Sequence, residues 1–268
     1  MVSRYEKDMN NHVIAKKVSE EKPASSIKAN KSTRRHRIGR HFVVVLIGAM
    51  TAYLFWLSRM EWDAEMRTWR ALGDAAFILL FVTMVIGPVV KIWPRQLSFL
   101  VNWRRAFGIW FAIFASVHAF LVWDGWARWS IRGFLGYQEL PLAGLSGPVL
   151  VDPGFGLANM VGLVALFFGL VLFAISSDKA MRFLGSSTWK HLQNYAYVVF
   201  YLVALHGIYF LFLHYELSLR NLVFQSGVSG PNWFRFWFVG LVSIVFTVQV
   251  AAMIKLILQR RKGGLGGA

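Results

Sequence analysis

The chain has 268 residues, a net charge of +16, a mean hydropathy of +0.49 and 56% hydrophobic residues, with 23 Phe, 12 Trp and no Cys. The missing Cys excludes thiolate-held iron–sulfur clusters, c-type haem attachment and disulfides within the chain. The apolar residues come in blocks far longer than the roughly ten alternating residues of a barrel strand, which excludes a transmembrane β-barrel.

In chain order, residues 1–40 read as a basic, polar cytoplasmic tail, with Met1 to Lys31 poor in aromatics and without any span-like run. Arg34, Arg35, Arg37 and Arg40 then lead into the first apolar block. Such charge beside a span fits anionic lipid, and with no aromatic platform or recognition helix it gives no reason to expect nucleic acid. Six blocks are long enough to cross a membrane: Phe42 to Leu57, Gly73 to Val90, Ala106 to Trp123, Phe155 to Ser176, Leu192 to Leu213 and Phe234 to Leu258. The first begins after forty residues, so it is expected to be a retained anchor rather than a signal peptide. The predicted fold class is an all-α polytopic membrane protein, a six-helix transmembrane bundle over 41–258 followed by a short tail, 259–268.

Lys and Arg set the expected orientation. Eleven lie in Met1 to His41, four in Lys91 to Arg105, three in Lys179 to Lys190 and four from Lys255 onward. That is 22 of 29 on one side, against Arg59, Arg67, Arg70, Arg128, Arg132, Arg220 and Arg235 on the other. Both termini and the second and fourth loops are therefore expected in the cytoplasm of a cell whose inner membrane holds the bundle.

The third loop, Asp124 to Gly154, is the longest outside element, and its Trp126, Trp129, Ile131, Phe134 and Leu135 suit a short amphipathic segment on the membrane surface followed by a Gly/Pro turn region. Arg128 and Arg132, four apart on one helical face, either neutralise the carboxylates of a ligand below them or contact lipid phosphate. The fifth loop, His214 to Trp233, contains Gly227, Gly230 and Pro231 and could cover an outer site or dock a partner.

Two imidazoles stand out. His118 and His206 each sit inside a long apolar run, where an ionisable group is costly unless something occupies it. His118 is about 20 Å along the third span from Arg104 and Arg105, and His206 lies at a similar depth in the fifth, which runs the same way. Two neutral imidazoles at one depth can ligate both faces of one macrocycle, giving a low-spin iron suited to one-electron transfer. The alternatives are structural hydrogen bonding between helices, or a quinone at one of the two. No Cys, Asp or Glu in these spans completes a tetrahedral zinc set. Ser116 and Gly108 on the third span and Gly207 on the fifth are small enough to let a helix or a flat cofactor approach. His191, about 22 Å inward of His206, either ligates a second haem or plays an interfacial structural part. His214, two turns beyond His206, either meets haem propionates or lies at the surface.

The segments Arg104-Arg105-Ala106-Phe107-Gly108 leading to Ser116-Val117-His118, and Trp189-Lys190-His191-Leu192-Gln193-Asn194-Tyr195-Ala196-Tyr197 leading to Leu205-His206, resemble the ferric reductase-like transmembrane family. That family includes the haem-binding membrane subunit of the periplasmic methionine sulfoxide reductase system and, more distantly, the membrane halves of NADPH oxidases and metalloreductases. The resemblance covers Asp74 to Leu258 and implies haem ligation by His118 and His206. It also marks a departure: family members commonly carry a second histidine where this chain has Gln193, and those with two bis-histidine haems carry another near Arg104. The resemblance thus implies one b-type haem and leaves the second open. The oxidases of the family append a flavin and nicotinamide module, whereas this chain ends in a glycine-rich tail without a strand-associated glycine fingerprint. Electrons are accordingly expected from a separate redox protein or from membrane quinol, and the chain reads as an electron-transfer subunit rather than a complete enzyme. The competing readings are an accessory subunit of a larger bioenergetic or photosynthetic complex, using its histidines for structure or pigment, and a transporter. The latter is weakened by Asp74 being the only acidic residue within a span.

Overall fold

The structure is a computed structural model that describes residues 24–139, 147–214 and 232–264, with side chains described from 36 to 261. The fifth-loop expectations at Gly227, Gly230 and Pro231, and the tail reading before residue 24, lie outside the described residues. From Ala24 the backbone is already helical.

Six helices are long and apolar enough to cross a membrane. They are α1 (Ala24–Leu57), α2 (Ala64–Ile92), α3 (Val101–Leu121), α4 (Phe155–Ala174), α5 (Ala196–Ile208, preceded by the short helix Ser186–Gln193) and α6 (Phe234–Gly264). The chain divides into two compact units, Met1–Val43 and Val44–Ala268. The first ends in the basic approach of α1, and everything that follows belongs to the second.

Helix α2 reaches beyond its apolar block because its first turn is polar but capped. The block at Gly73 is entered nine residues earlier, at Ala64, where the Asp63 carboxylate accepts from the backbone N–H groups of Glu65 (2.9 Å) and Met66 (3.2 Å). This cap satisfies donors that a helix start leaves without partners. Arg67, in that first turn, is nearly buried and lies over the Trp56 ring, 4.0 Å from its centre.

Helix α2 is the hub. Half of its apolar stretch is buried, against 11–28% for the other five, because it packs on α3, α5 and α6. Helix α4 packs mainly on α5, so the second unit is built from two adjacent helix pairs, α2 with α3 and α4 with α5, joined by contacts of α3 with α4 and of α2 with α5. Lipid tails give helices no hydrophobic reason to associate, so close packing must supply the cohesion. Phe77 of α2 meets Phe238 of α6 at 4.2 Å between ring centres and Phe200 of α5 at 6.2 Å. Large apolar side chains such as Phe167, Phe236 and Trp237 stand outward, as a lipid-facing surface requires.

The third loop is folded rather than a simple surface segment. After α3 the chain makes a π-helical turn, Val122–Trp126, passes through positive φ at Arg128 (48°) and Trp129 (59°), and enters a one-turn helix, Ile131–Phe134, capped by the Ser130 hydroxyl. Strand β1 (Tyr137–Gln138) then pairs antiparallel with β2 (Val149–Leu150). Two bulky residues in the left-handed region are uncommon, and here they reverse the chain in two steps. The Trp129 indole N–H donates to Asp124 (2.8 Å) and closes the reversal.

Candidate functional site

His118 and His206 meet. Their ring centres are 6.4 Å apart with the ring planes at 81°, and both line one cavity of about 300 Å³ enclosed by α2, α3, α4 and α5. The lining is largely aromatic and aliphatic, with Phe111, Trp126, Phe155 and Phe210 prominent, and carries a few polar groups, among them Arg70, Asp74 and Asn159. An apolar cavity with a few convergent polar groups is the usual form of a ligand site.

Each imidazole is held by the neighbouring helix in the same way. The Nδ1 of His118 lies 2.7 Å from the backbone carbonyl of Trp69 on α2, and the Nδ1 of His206 lies 2.8 Å from that of Ala158 on α4. A carbonyl can only accept, so each Nδ1 carries the proton and each Nε2 keeps its lone pair. Four residues beyond each carbonyl stands a glycine against which the ring rests. A Cβ on Gly73 would come within 3.0 Å of the His118 ring, and one on Gly162 within 2.7 Å of the His206 ring. Each seat thus combines a carbonyl, a glycine one turn later and an imidazole from the partner helix. A ring nitrogen fixed by a carbonyl, with the other left basic, is the arrangement that orients imidazoles as metal ligands. Both histidine-bearing helices also pass into π-helical turns within four residues, at Val122–Trp126 and Tyr209–Leu213. Such turns recur at functional sites because they re-aim side chains.

The remaining candidates separate. His214 lines the cavity, ringed by Trp126, Phe155, Tyr209 and Phe210, with its Nδ1 3.8 Å from the fully buried Asp152 carboxylate. Arg128 and Arg132 do not line it: Arg128 pairs with Glu65 at 2.7 Å where both are exposed, and Arg132 is exposed on the one-turn helix. The loop reverses before its arginines can turn inward. The cation that does line the cavity is Arg70 of α2, whose Nη1 donates to the Phe210 carbonyl (3.2 Å). His191 is exposed on the short helix before α5, edge-on to Tyr195. Of the small residues picked from the sequence, Gly207 faces the Phe238 ring and Gly108 the Thr83 methyl, while the Ser116 hydroxyl donates to its own helix at Ala112 (2.7 Å). Gly108 serves helix packing, and Gly207 both packs against Phe238 and lines the cavity. The glycines that matter to the histidines are Gly73 and Gly162, each one turn beyond the carbonyl, of Trp69 or Ala158, that holds the ring; nothing in the sequence singles them out.

A second polar cluster borders the cavity, which its Asp74 also lines. Arg59, from the first connection, is 2% exposed and donates through Nη2 to Asp74 (2.5 Å) and to the Asn232 side-chain oxygen (3.1 Å). Its guanidinium is flanked by the rings of Phe55 and Trp62 at 5.2 and 5.1 Å. Among the described residues, no group of three or more His, Cys, Asp or Glu gathers in a way that could hold a metal ion.

The model of the ferric reductase-like transmembrane component matches residues 72–204, from beside Gly73 to just short of His206. The chain belongs to the ferric reductase-like transmembrane family. Ferric reductase-like domains generally bind haem, and membership points to electron transfer within the membrane. Among curated proteins the chain is similar to the magnetosome protein MamZ of Paramagnetospirillum magneticum, 29% identical over 167 residues that make up 62% of this chain and 23% of the relative. It is also similar to MamZ of Magnetospirillum gryphiswaldense, 27% identical over 168 residues, 63% of this chain and 23% of the relative. The matched part of this ferric reductase-like chain therefore spans about a quarter of the length of these relatives. No solved structure matches.

Proposed function

We propose that the chain is a b-type haem-binding electron-transfer subunit in which His118 and His206 would hold one haem. The observation that carries this reading is the pair of imidazoles, 6.4 Å between centres, each with Nδ1 turned to a carbonyl. Two close imidazoles, each with its proton on the carbonyl-bound nitrogen and a lone pair on the other, have the donor chemistry that a haem iron takes, so His118 and His206 would hold it. When bound, haem supplies one-electron redox chemistry.

The chain's own residues do the rest. The Trp69 and Ala158 carbonyls fix the tautomer and raise the basicity of the opposite nitrogen. Gly73 and Gly162 let each ring lie flat on the neighbouring helix. The aromatic lining keeps water away and lowers the local dielectric, which sets the cost of changing charge at the site. Arg70 and His214 are the groups able to meet propionate carboxylates, in place of Arg128 and Arg132.

The basic loops at 91–105 and 179–190 would face the cytoplasm and the His118–His206 half the outer side of the inner membrane. Electrons would come from quinol or a partner reductase and leave to an acceptor on the outer side. The test is a reduced-minus-oxidised difference spectrum with haem quantification on the purified chain. Wild type should carry a reducible b-type signal, and His118→Ala and His206→Ala should each lose it. Unchanged haem content in both variants would overturn the assignment.

A further inference from the structure

The seat that holds each histidine has a third copy. Fourteen residues further along α2 from Trp69 and Gly73 stand Thr83 and Gly87, and fourteen residues back along α3 from His118 stands Arg104. Fourteen residues fall within about 40° of four whole helical turns, so the same faces of the same helices meet again about 21 Å away. There the Arg104 Nε–H donates to the Thr83 carbonyl (3.3 Å), and the guanidinium carbon lies 3.5 Å from where a Cβ on Gly87 would be. Carbonyl, glycine one turn later and a nitrogen from α3 recur in the same relation, with guanidinium in the place of imidazole.

The corresponding step along α4 leads from Ala158 and Gly162 to Leu172 and, two residues past the end of the helix, Ser176. A serine stands there in place of a glycine, and its hydroxyl donates to the Leu172 carbonyl (2.6 Å). On the short helix before α5, Gln193 lies thirteen residues before His206, and its side-chain nitrogen is buried with no partner among the described residues.

We infer that the ligand seat recurs on α2 and α3, that Arg104 closes this third seat to iron, and that Ser176 and Gln193 stand where a fourth would need a glycine and a histidine, so the chain carries a single haem. The inference rests on the haem reading above. A guanidinium stays protonated throughout the accessible pH range and has no lone pair to offer a metal. An amide nitrogen has none either, and its oxygen suits hard cations rather than a haem iron. The Arg104 half thus holds a fixed positive charge where a second redox centre would stand. An electron reaching the haem must then arrive at the depth of His118 and His206, because this chain provides no stepping stone from the opposite end.

The experiment is haem-to-chain stoichiometry on the purified full chain, combined with a redox titration. Wild type should give one haem per chain and a single one-electron wave. Arg104→His combined with Ser176→Gly and Gln193→His reopens both seats and should raise the ratio towards two, with a second wave. Two haems in the wild type would overturn this inference while leaving the haem reading intact; none would overturn both. A triple variant that keeps the first haem signal yet stays at one per chain would show that Thr83 and Gly87 are not a seat. If the triple variant loses the first signal through misfolding, the wild-type ratio decides alone.

Discussion

Two polar clusters lie side by side in the half of the bundle that contains His118, and they solve the burial problem differently. The Arg59–Asp74–Asn232 cluster cancels its own charge: opposite charges pair, and the Asn232 oxygen accepts from both Arg59 and the backbone N–H of Phe234 (3.0 Å), while Arg59 Nε and Nη1 and the Asn232 side-chain nitrogen have no partner among the described residues. The histidine pair is half closed, since each ring spends one nitrogen on a carbonyl and turns the rest of itself to a cavity. A self-cancelling cluster serves the fold, because apolar surroundings punish any net charge. A pair that leaves two basic nitrogens towards an apolar cavity gains nothing for the fold from them, and their value must come from what fills the space.

The sharpest break of this contrast is Asp74→Asn. It strands the Arg59 charge at a position 2% exposed, and removing one member of a buried pair costs about 3–5 kcal/mol. Thermal unfolding in detergent should show a large loss of stability, while the fraction that stays folded keeps its haem. Replacing both partners, Arg59→Met with Asp74→Leu, should recover much of the loss because no charge is then buried alone. Because Asp74 also lines the cavity, haem loss without loss of stability in Asp74→Asn would give it a part in holding the ligand and erase the distinction.

A smaller effect should separate the two histidine seats. Gly162→Ala puts a methyl 2.7 Å from the His206 ring, and Gly73→Ala puts one 3.0 Å from the His118 ring. Both rings must shift, and crowding of this kind costs roughly 1–3 kcal/mol. Haem retention on dilution should fall in both variants and further in Gly162→Ala. Equal, wild-type retention in both would mean that the rings do not depend on these glycines for their position.

These glycines also mark the limit of what the sequence discloses. The six spans were readable because water-soluble folds rarely contain uninterrupted apolar blocks of about twenty residues. The two intramembrane histidines stood out because imidazole is costly in lipid. Their partners did not, because a backbone carbonyl has no residue signature and a glycine on an apolar helix is commonplace. Gly108, Ser116 and Gly207 looked equally suitable, and only the packing of α2 on α3 and α4 on α5 separates them from Gly73 and Gly162. The loop arginines show a related limit. Helical spacing put Arg128 and Arg132 on one face, but the chain leaves the helix at positive φ before either can use it. Arg59 and Asp74, fifteen residues apart, likewise gave no periodic hint that they meet.

The mildest expectation concerns Arg128, whose ion pair with Glu65 joins the third loop to the first turn of α2. The 2.7 Å contact is short, yet the side chains are 67% and 53% exposed, so solvent and salt screen the attraction and both chains lose freedom in holding it. Arg128→Gln should therefore change stability by no more than about 0.5 kcal/mol and leave the haem spectrum and content unaltered. Arg70→Gln, inside the cavity, should alter the midpoint potential or haem retention, because it removes the cation nearest any carboxylates that enter with the ligand. Measured together, the two substitutions ask whether the site's positive charge comes from the loop or from α2. A shifted potential in Arg128→Gln with none in Arg70→Gln would hand that part back to the loop.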